Sequence, residues 1–233
     1  MSRLAGAPYI VWAALFIIVP LCMVAYYAFT DNTGAFTFNN MADIGKYADT
    51  FILSIWLGLL ATVICLLVAY PLAYIMASKG PEKQSTMTML IMLPMWCNLL
   101  IRTYALMALL DNGGLINSFL DSIGLGKLHI VGSDFGVILG MVYDFLPYMV
   151  LPIYTCISKI DKHMWEAASD LGCNTMQVIT KVIFPLSMSG VISGVTMVLV
   201  PSISTFYISQ KLGGGTFELI GDTSERQFVT GAY

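Results

Sequence analysis

Asp144 interrupts a run that is otherwise apolar, VYDFLPYMVLPIYTCI, and a carboxylate in such a place needs a chemical reason. An ionisable side chain at bilayer depth costs roughly 2.5–3.5 kcal/mol on insertion scales, so it faces a partner or a wet cavity. Two explanations stay open. Asp144 is either a group on a solute pathway or one half of an ion pair with Arg102, which lies in the preceding apolar run. Catalysis fits poorly, because one aspartate forms no aspartyl dyad. The sequence also has no H-E-x-x-H helix, no Ser/His pair at membrane depth and no G-x-x-x-x-G-K-[ST] loop to cradle phosphates. The five cysteines are scattered, and His129 and His163 are too far apart for a ligand pair, so neither a metal nor a cofactor on this chain is expected.

A second stretch, EAASDLGCNTMQVITKVIFP (166–185), is polar where its neighbours are not. Asp161 is placed to cap a helix running through Leu171. On that helix Met164, Ala167, Ala168 and Leu171 recur at i, i+3, i+4 and i+7 as one apolar face, kept flat by the alanines. Glu166 and Asp170 line the adjoining polar edge. Gly172 stands where a left-handed residue ends a helix, a conformation that costs other residues about 1 kcal/mol or more. Asn174 with Gln177 spells a capping box that starts a second helix, and Pro185 kinks it. The result is a rigid helix–turn–helix, read either as a knob offered to a partner or as an amphipathic helix lying on lipid.

The elements that must hold these residues are membrane helices. The 233-residue chain is 58% hydrophobic and 11% charged, against roughly a quarter charged in soluble domains. Its net charge of −3 offers no field for nucleic acid. A bilayer core takes about 20 apolar residues of helix. Five segments qualify, at about 9–29, 52–77, 86–110, 135–157 and 183–208, which makes the expected fold an all-α membrane protein. With the N-terminus inside, the cytoplasmic side carries six basic residues and the outer side four, a small positive-inside bias. Residues 158–182, which include the helix–turn–helix, then form a cytoplasmic loop. LINSFLDSIGLG reads as a short amphipathic helix on the outer surface, and Pro94, Pro147 and Pro152 as bends around a cavity.

The pattern E-A-A, three residues, G, nine residues, then an apolar triplet and Pro resembles the EAA loop of ABC importer permeases. Here Val182 and Phe184 stand where that family usually has Ile and Leu. LPMWCNLLIRTYALMALL (93–110), GLINSFL (114–120), the stretch 142–172 and FYISQKLGGGTFELIGD (206–222) are similar to the PotB-type permeases of spermidine/putrescine importers. The resemblance covers nearly the whole chain and implies a single type I ABC importer transmembrane domain over 1–233. It also implies a sixth span, expected shortly after Tyr233 in a chain cut short. The location implied is a bacterial cell membrane. The implied partners are a second homologous permease subunit, two ATP-binding cassette subunits that hold ATP and Mg, and an extracytoplasmic polyamine-binding protein.

Carried over residue by residue, the resemblance makes Met164, Glu166, Ala167, Ala168, Asp170, Leu171 and Gly172 the coupling surface that an ATPase subunit grips. Polyamines are polycations, and their path calls for carboxylates, carbonyls and aromatic faces. Trp96, Asn98, Tyr104, Tyr143, Asp144, Phe206, Tyr207 and Gln210 are the candidates for that path. Phe206 and Tyr207 resemble the family's outer aromatic gate and read equally as an interfacial aromatic belt. Gln210 stands where an acid would suit a cation better. Other cargoes, such as another cationic amine, iron, thiamine or an anion, and an ion-coupled carrier remain as alternatives.

Overall fold

The computed structural model describes residues 7–30, 36–38, 44–124, 126, 128–215 and 218–230. The chain divides after Asp49 into two compact units. The first holds α1, in which Ala7–Ala13 and Val19–Ala28 are joined by a π-helical turn, Ala14–Ile18. Beyond it an isolated bridge pairs Thr30 with Phe36. Tyr9–Ala28 is long and apolar enough to cross a bilayer.

The second unit contains α2 (Ala48–Ser78) from Thr50 onward, α3 (Pro81–Trp96), α4 (Leu99–Leu110), α5 (Leu115–Ser122) and α6 (Asp134–Ile157). It continues with α7 (Lys162–Asp170), α8 (Thr175–Leu186), α9 (Met188–Ser204), α10 (Tyr207–Leu212) and α11 (Ile220–Thr230). Among the described residues of the chain, four helices are long and apolar enough to span, and a fifth span results if α8 and α9 count as one bent element.

α6 is the spine of this unit. At 1.5 Å per residue its 24 residues rise about 36 Å, enough to cross the hydrocarbon core. Ser133 caps it by accepting from the Gly136 N–H at 3.2 Å. Val137, Met141, Met149, Val150 and Ile153 along it are fully buried. Other helices reach it through small residues. On α2 the sequence places Ala61, Cys65, Ala69, Ala73 and Ala77 four apart, and all five are buried. Cys65 Sγ donates to the Val142 carbonyl at 3.8 Å, joining this stripe to α6. α9 lies against α6 through Gly190 and Gly194. A Cβ on Gly190 would sit 2.7 Å from Cys156 Cβ and 2.8 Å from the Pro152 carbonyl. In a lipid environment, where apolar burial alone does not drive helices together, this close approach supplies the attraction.

Two expected spans are not continuous. The segment expected as one helix over 86–110 is divided at Cys97 and Asn98. Asn98 is extended, and its side chain accepts from the Leu100 N–H at 2.8 Å, starting α4 as an N-cap. The segment expected over 183–208 bends by 73° between α8 and α9. At the bend Ser187 N donates back to Ile183 O and Phe184 O, while Ser187 Oγ and the Tyr70 hydroxyl lie 3.0 Å apart. α9 then ends at Ser204, where Thr205 turns extended, so Phe206 and Tyr207 lie past its end at the start of α10. Short polar side chains offer the backbone partners outside the helix, and apolar periodicity does not register that.

Because the space opposite Gly190 is filled by backbone as well as side chain, Gly190→Ala overpacks the α6–α9 contact. Thermal unfolding of the detergent-solubilised protein is expected to show a loss of about 1–3 kcal/mol. Gly113→Ala, which meets nothing within 4 Å, serves as the near-neutral control.

Candidate functional site

Three clusters gather the residues singled out above. The first is the helix–turn–helix that follows α6. His163 N donates to Asp161 Oδ1 at 3.0 Å, so Asp161 caps α7. Gly172 has φ +81°, and Cys173 N reaches back to the Ala168 carbonyl at 3.1 Å, the six-to-one bond that closes a helix on a left-handed residue. Both bonds of the Asn174–Gln177 capping box are present at 2.9 Å. Each link is local, which is why this elbow is rigid.

The structure splits the apolar face expected on α7. Ala168 is buried, whereas Met164, Ala167 and Leu171 are exposed, Leu171 at 85%. The inward direction is taken by Trp165, whose indole stacks on Tyr74 of α2 with ring centroids 5.3 Å apart and planes 9° from parallel. One residue is about 100° of helix, so the wheel that turns Trp165 and Ala168 inward turns 164, 167 and 171 outward. The sequence reading passed over Trp165. Its signal was available, since the largest apolar side chain on a short helix is the one with most to gain from burial. Glu166 and Asp170 are exposed, and Glu166 Oε2 lies 3.3 Å from His163 Nδ1.

The second cluster lies within the span region. Arg102 Nε and Asp144 Oδ1 are 2.5 Å apart, with Asp144 at 0% exposure and Arg102 at 7%. Thr103 Oγ1 donates to Asp144 Oδ2 at 3.1 Å. The guanidinium also donates from Nη1 to Pro94 O at 3.1 Å and from Nη2 to Asp144 O at 3.4 Å, and its Cζ lies 5.9 Å from the Tyr143 ring centroid. Of the two explanations for Asp144, the ion pair is the one that forms. Arg102 thereby answers two needs together. It neutralises a buried carboxylate, and it gives the Pro94 carbonyl, which also accepts from the Cys97 N–H at 3.2 Å, a second donor at the end of α3. Trp96 does not join this cluster and stays 69% exposed at the end of α3.

The third cluster lies toward the N-terminal end of α6, the end away from the elbow. Here Gly132 N donates to Leu212 O at 2.7 Å, holding α10 against the entrance to α6. Tyr104 and Tyr207 meet edge to face, 5.8 Å between centroids at 80°. Lys211, also absent from the expected site, lies beside both rings. Phe206 lines an open cavity of about 470 Å³ with Ser204, Ile220, Glu225 and Phe228. Gln210 donates to Glu225. Asp222, at the start of α11, accepts from Ser209 Oγ at 2.7 Å and Leu219 N at 2.8 Å. Burial raises its carboxyl above the usual range, and the Leu219 and Ser209 hydrogen bonds oppose that rise.

Residues 69–233 match the family described as binding-protein-dependent transport system inner membrane component. The spermidine/putrescine transport system permease protein PotB of Haemophilus influenzae is 35% identical over 228 residues, covering 94% of this chain and 80% of that one. The Escherichia coli K12 protein of the same name is 34% identical, covering 94% and 83%. Among solved structures, a bacterial alginate ABC transporter in complex with an alginate pentasaccharide-bound periplasmic protein superposes with a TM-score of 0.74 at 18% identity. That match covers 99% of this chain and 83% of the other.

Truncating one side of a buried ion pair leaves the other charge stranded, which costs about 3–5 kcal/mol. Asp144→Asn is therefore expected to lower stability by that order in thermal unfolding, with Arg102→Met/Asp144→Leu recovering much of it. If Asp144→Asn abolished transport with stability unchanged, Asp144 would belong to the pathway and not to the scaffold.

Proposed function

This chain belongs to the family of binding-protein-dependent transport system inner membrane components, and from that premise we propose that it carries a polyamine of the spermidine/putrescine class. The observation that supports this cargo is a likeness to the PotB proteins that runs through 94% of the chain. The chain is a membrane permease subunit. A second homologous permease completes the pathway, an extracytoplasmic binding protein delivers the amine, and two cassette subunits hydrolyse ATP. The N-terminus is cytoplasmic.

In this reading the 161–186 elbow is the part that the cassette subunit grips. Met164, Ala167 and Leu171 face outward to enter its groove, and Glu166 pairs with a basic group there. Asp170 borders the contact and Gly172 sets the turn. Ala168 holds the helix against the body with Trp165, whose stack on Tyr74 carries displacement of the elbow into α2. Tyr104, Phe206, Tyr207 and Gln210 line the outer part of the path, with Trp96, Asn98 and Tyr143 nearer its middle. Asp144 supports the path from behind through Arg102.

The test is uptake of labelled spermidine into proteoliposomes holding the complete transporter, with and without ATP. Uptake that needs no ATP, or cargo limited to a solute that is not an amine, would overturn the reading. Losing one partner of a charge pair buried at an interface costs about 2 kcal/mol or more, so Glu166→Ala is expected to weaken cassette-subunit binding by roughly 30-fold. Trp165→Ala is expected to leave that binding intact while reducing uptake per ATP hydrolysed. Unchanged coupling in Trp165→Ala would remove the indole from the transmission path.

A further inference from the structure

A lysine at the mouth of a pathway for polycations is a physical problem, because a bare ammonium there repels the cargo. The neighbourhood of Lys211 suggests how the problem is resolved. Its Nζ lies 5.2 Å from the Tyr104 ring centroid and 5.9 Å from that of Tyr207. Both distances fall within the range of cation–π attraction, and the rings stand at 80° to each other, forming a two-sided corner. Helix geometry contributes, since Lys211 follows Tyr207 by four residues on α10 and falls on the same face. Tyr104 comes from α4, so the corner exists only when α4 and α10 are both in place.

The acids close by in sequence have other partners. Glu218 binds Arg226 at 2.6 Å, Glu225 accepts from Gln210, and Asp222 accepts from Ser209 and Leu219. Among the described residues Lys211 forms no ion pair; a hydrogen bond with Tyr104 and the two ring faces are what hold its charge. Tyr104 remains 45% exposed, so the corner can be reached from outside.

A lysine side chain ends in a methylene chain and a primary ammonium, the same end group that a linear diamine presents. We propose that Tyr104 and Tyr207 form a binding site for a primary ammonium, that Lys211 is its resident occupant, and that an arriving amine enters by exchanging with Lys211. The inference rests on the polyamine reading for its cargo, though the site itself is defined by the two rings. A tethered occupant competes at high effective concentration, so it weakens the apparent affinity of the free amine. A pathway gains from this, because a site that binds too well does not release. When the amine moves on, Lys211 returns to the rings and keeps the corner filled.

The experiment uses the complete transporter in nanodiscs. Equilibrium binding is measured for labelled putrescine and, by ligand-observed NMR, for methylammonium. Removing the resident cation in Lys211→Met is expected to tighten binding of both probes about fivefold, the scale of one exposed cation–π contact. Lys211→Arg, which keeps a cation in the corner, is expected to bind like the wild type. Adding Tyr207→Leu to Lys211→Met is expected to abolish the gain. Equal or weaker binding in Lys211→Met, or a gain that survives loss of Tyr207, overturns the proposal. The cargo reading is scored separately by spermidine uptake. If Lys211→Met tightens methylammonium binding while the wild type imports no polyamine, the site stands and the cargo reading falls. If the wild type imports polyamine while Lys211→Met shows no gain, the reverse holds.

Discussion

The contact between Arg102 and Asp144 is the constraint around which the second unit is arranged. Two charges at membrane depth are tolerable only if each finds the other and the remaining donors and acceptors are also satisfied. The guanidinium does this by reaching Asp144 on α6, the Pro94 carbonyl at the end of α3 and the face of Tyr143. It therefore fixes α4 against the spine and closes the break that Asn98 opens between α3 and α4.

Around this pair the packing follows from small residues. The four-residue repeat on α2 and the glycines of α9 let backbones approach where lipid supplies no drive for larger side chains to be buried. The consequence is a body in which α6 touches most of its neighbours. The elbow follows one end of that spine, and the tyrosine corner lies toward the other, where α10 packs on α6. On the proposed function, a pull on the elbow is felt by α2 through the Trp165–Tyr74 stack and by α9 through the bend at Ser187, which Tyr70 of α2 also touches. Both routes meet on α2. That convergence gives the opening turn of the elbow a mechanical purpose beyond presenting a surface.

The tyrosine corner shows how one chain can reconcile a lysine with a cationic cargo. Electrostatics alone would place Lys211 on the wrong side of the question. Its position beside two rings makes it a member of the same chemical class as the cargo, with the repulsion replaced by competition for one site.

The elbow was legible from sequence almost bond by bond. The Asp161 cap, the left-handed Gly172 and the Asn174–Gln177 box each depend on a few consecutive residues, and hydrogen bonds within such a window are decided by residue type and spacing. The all-α membrane character was legible for a similar reason, since length and apolarity are local sums. Three things were not. Whether Asp144 meets a solute or Arg102 depends on two residues 42 positions apart, and only tertiary packing sets that distance. Which face of α7 turns inward depends on Tyr74, far away on α2. The Lys211 corner needs a ring from α4 and a ring from α10, which lie about a hundred residues apart in the chain and meet only through tertiary packing. Sequence by itself decided what each segment could become; the fold decided which distant charges and rings would meet, because such contacts are satisfied only once the helices have been placed.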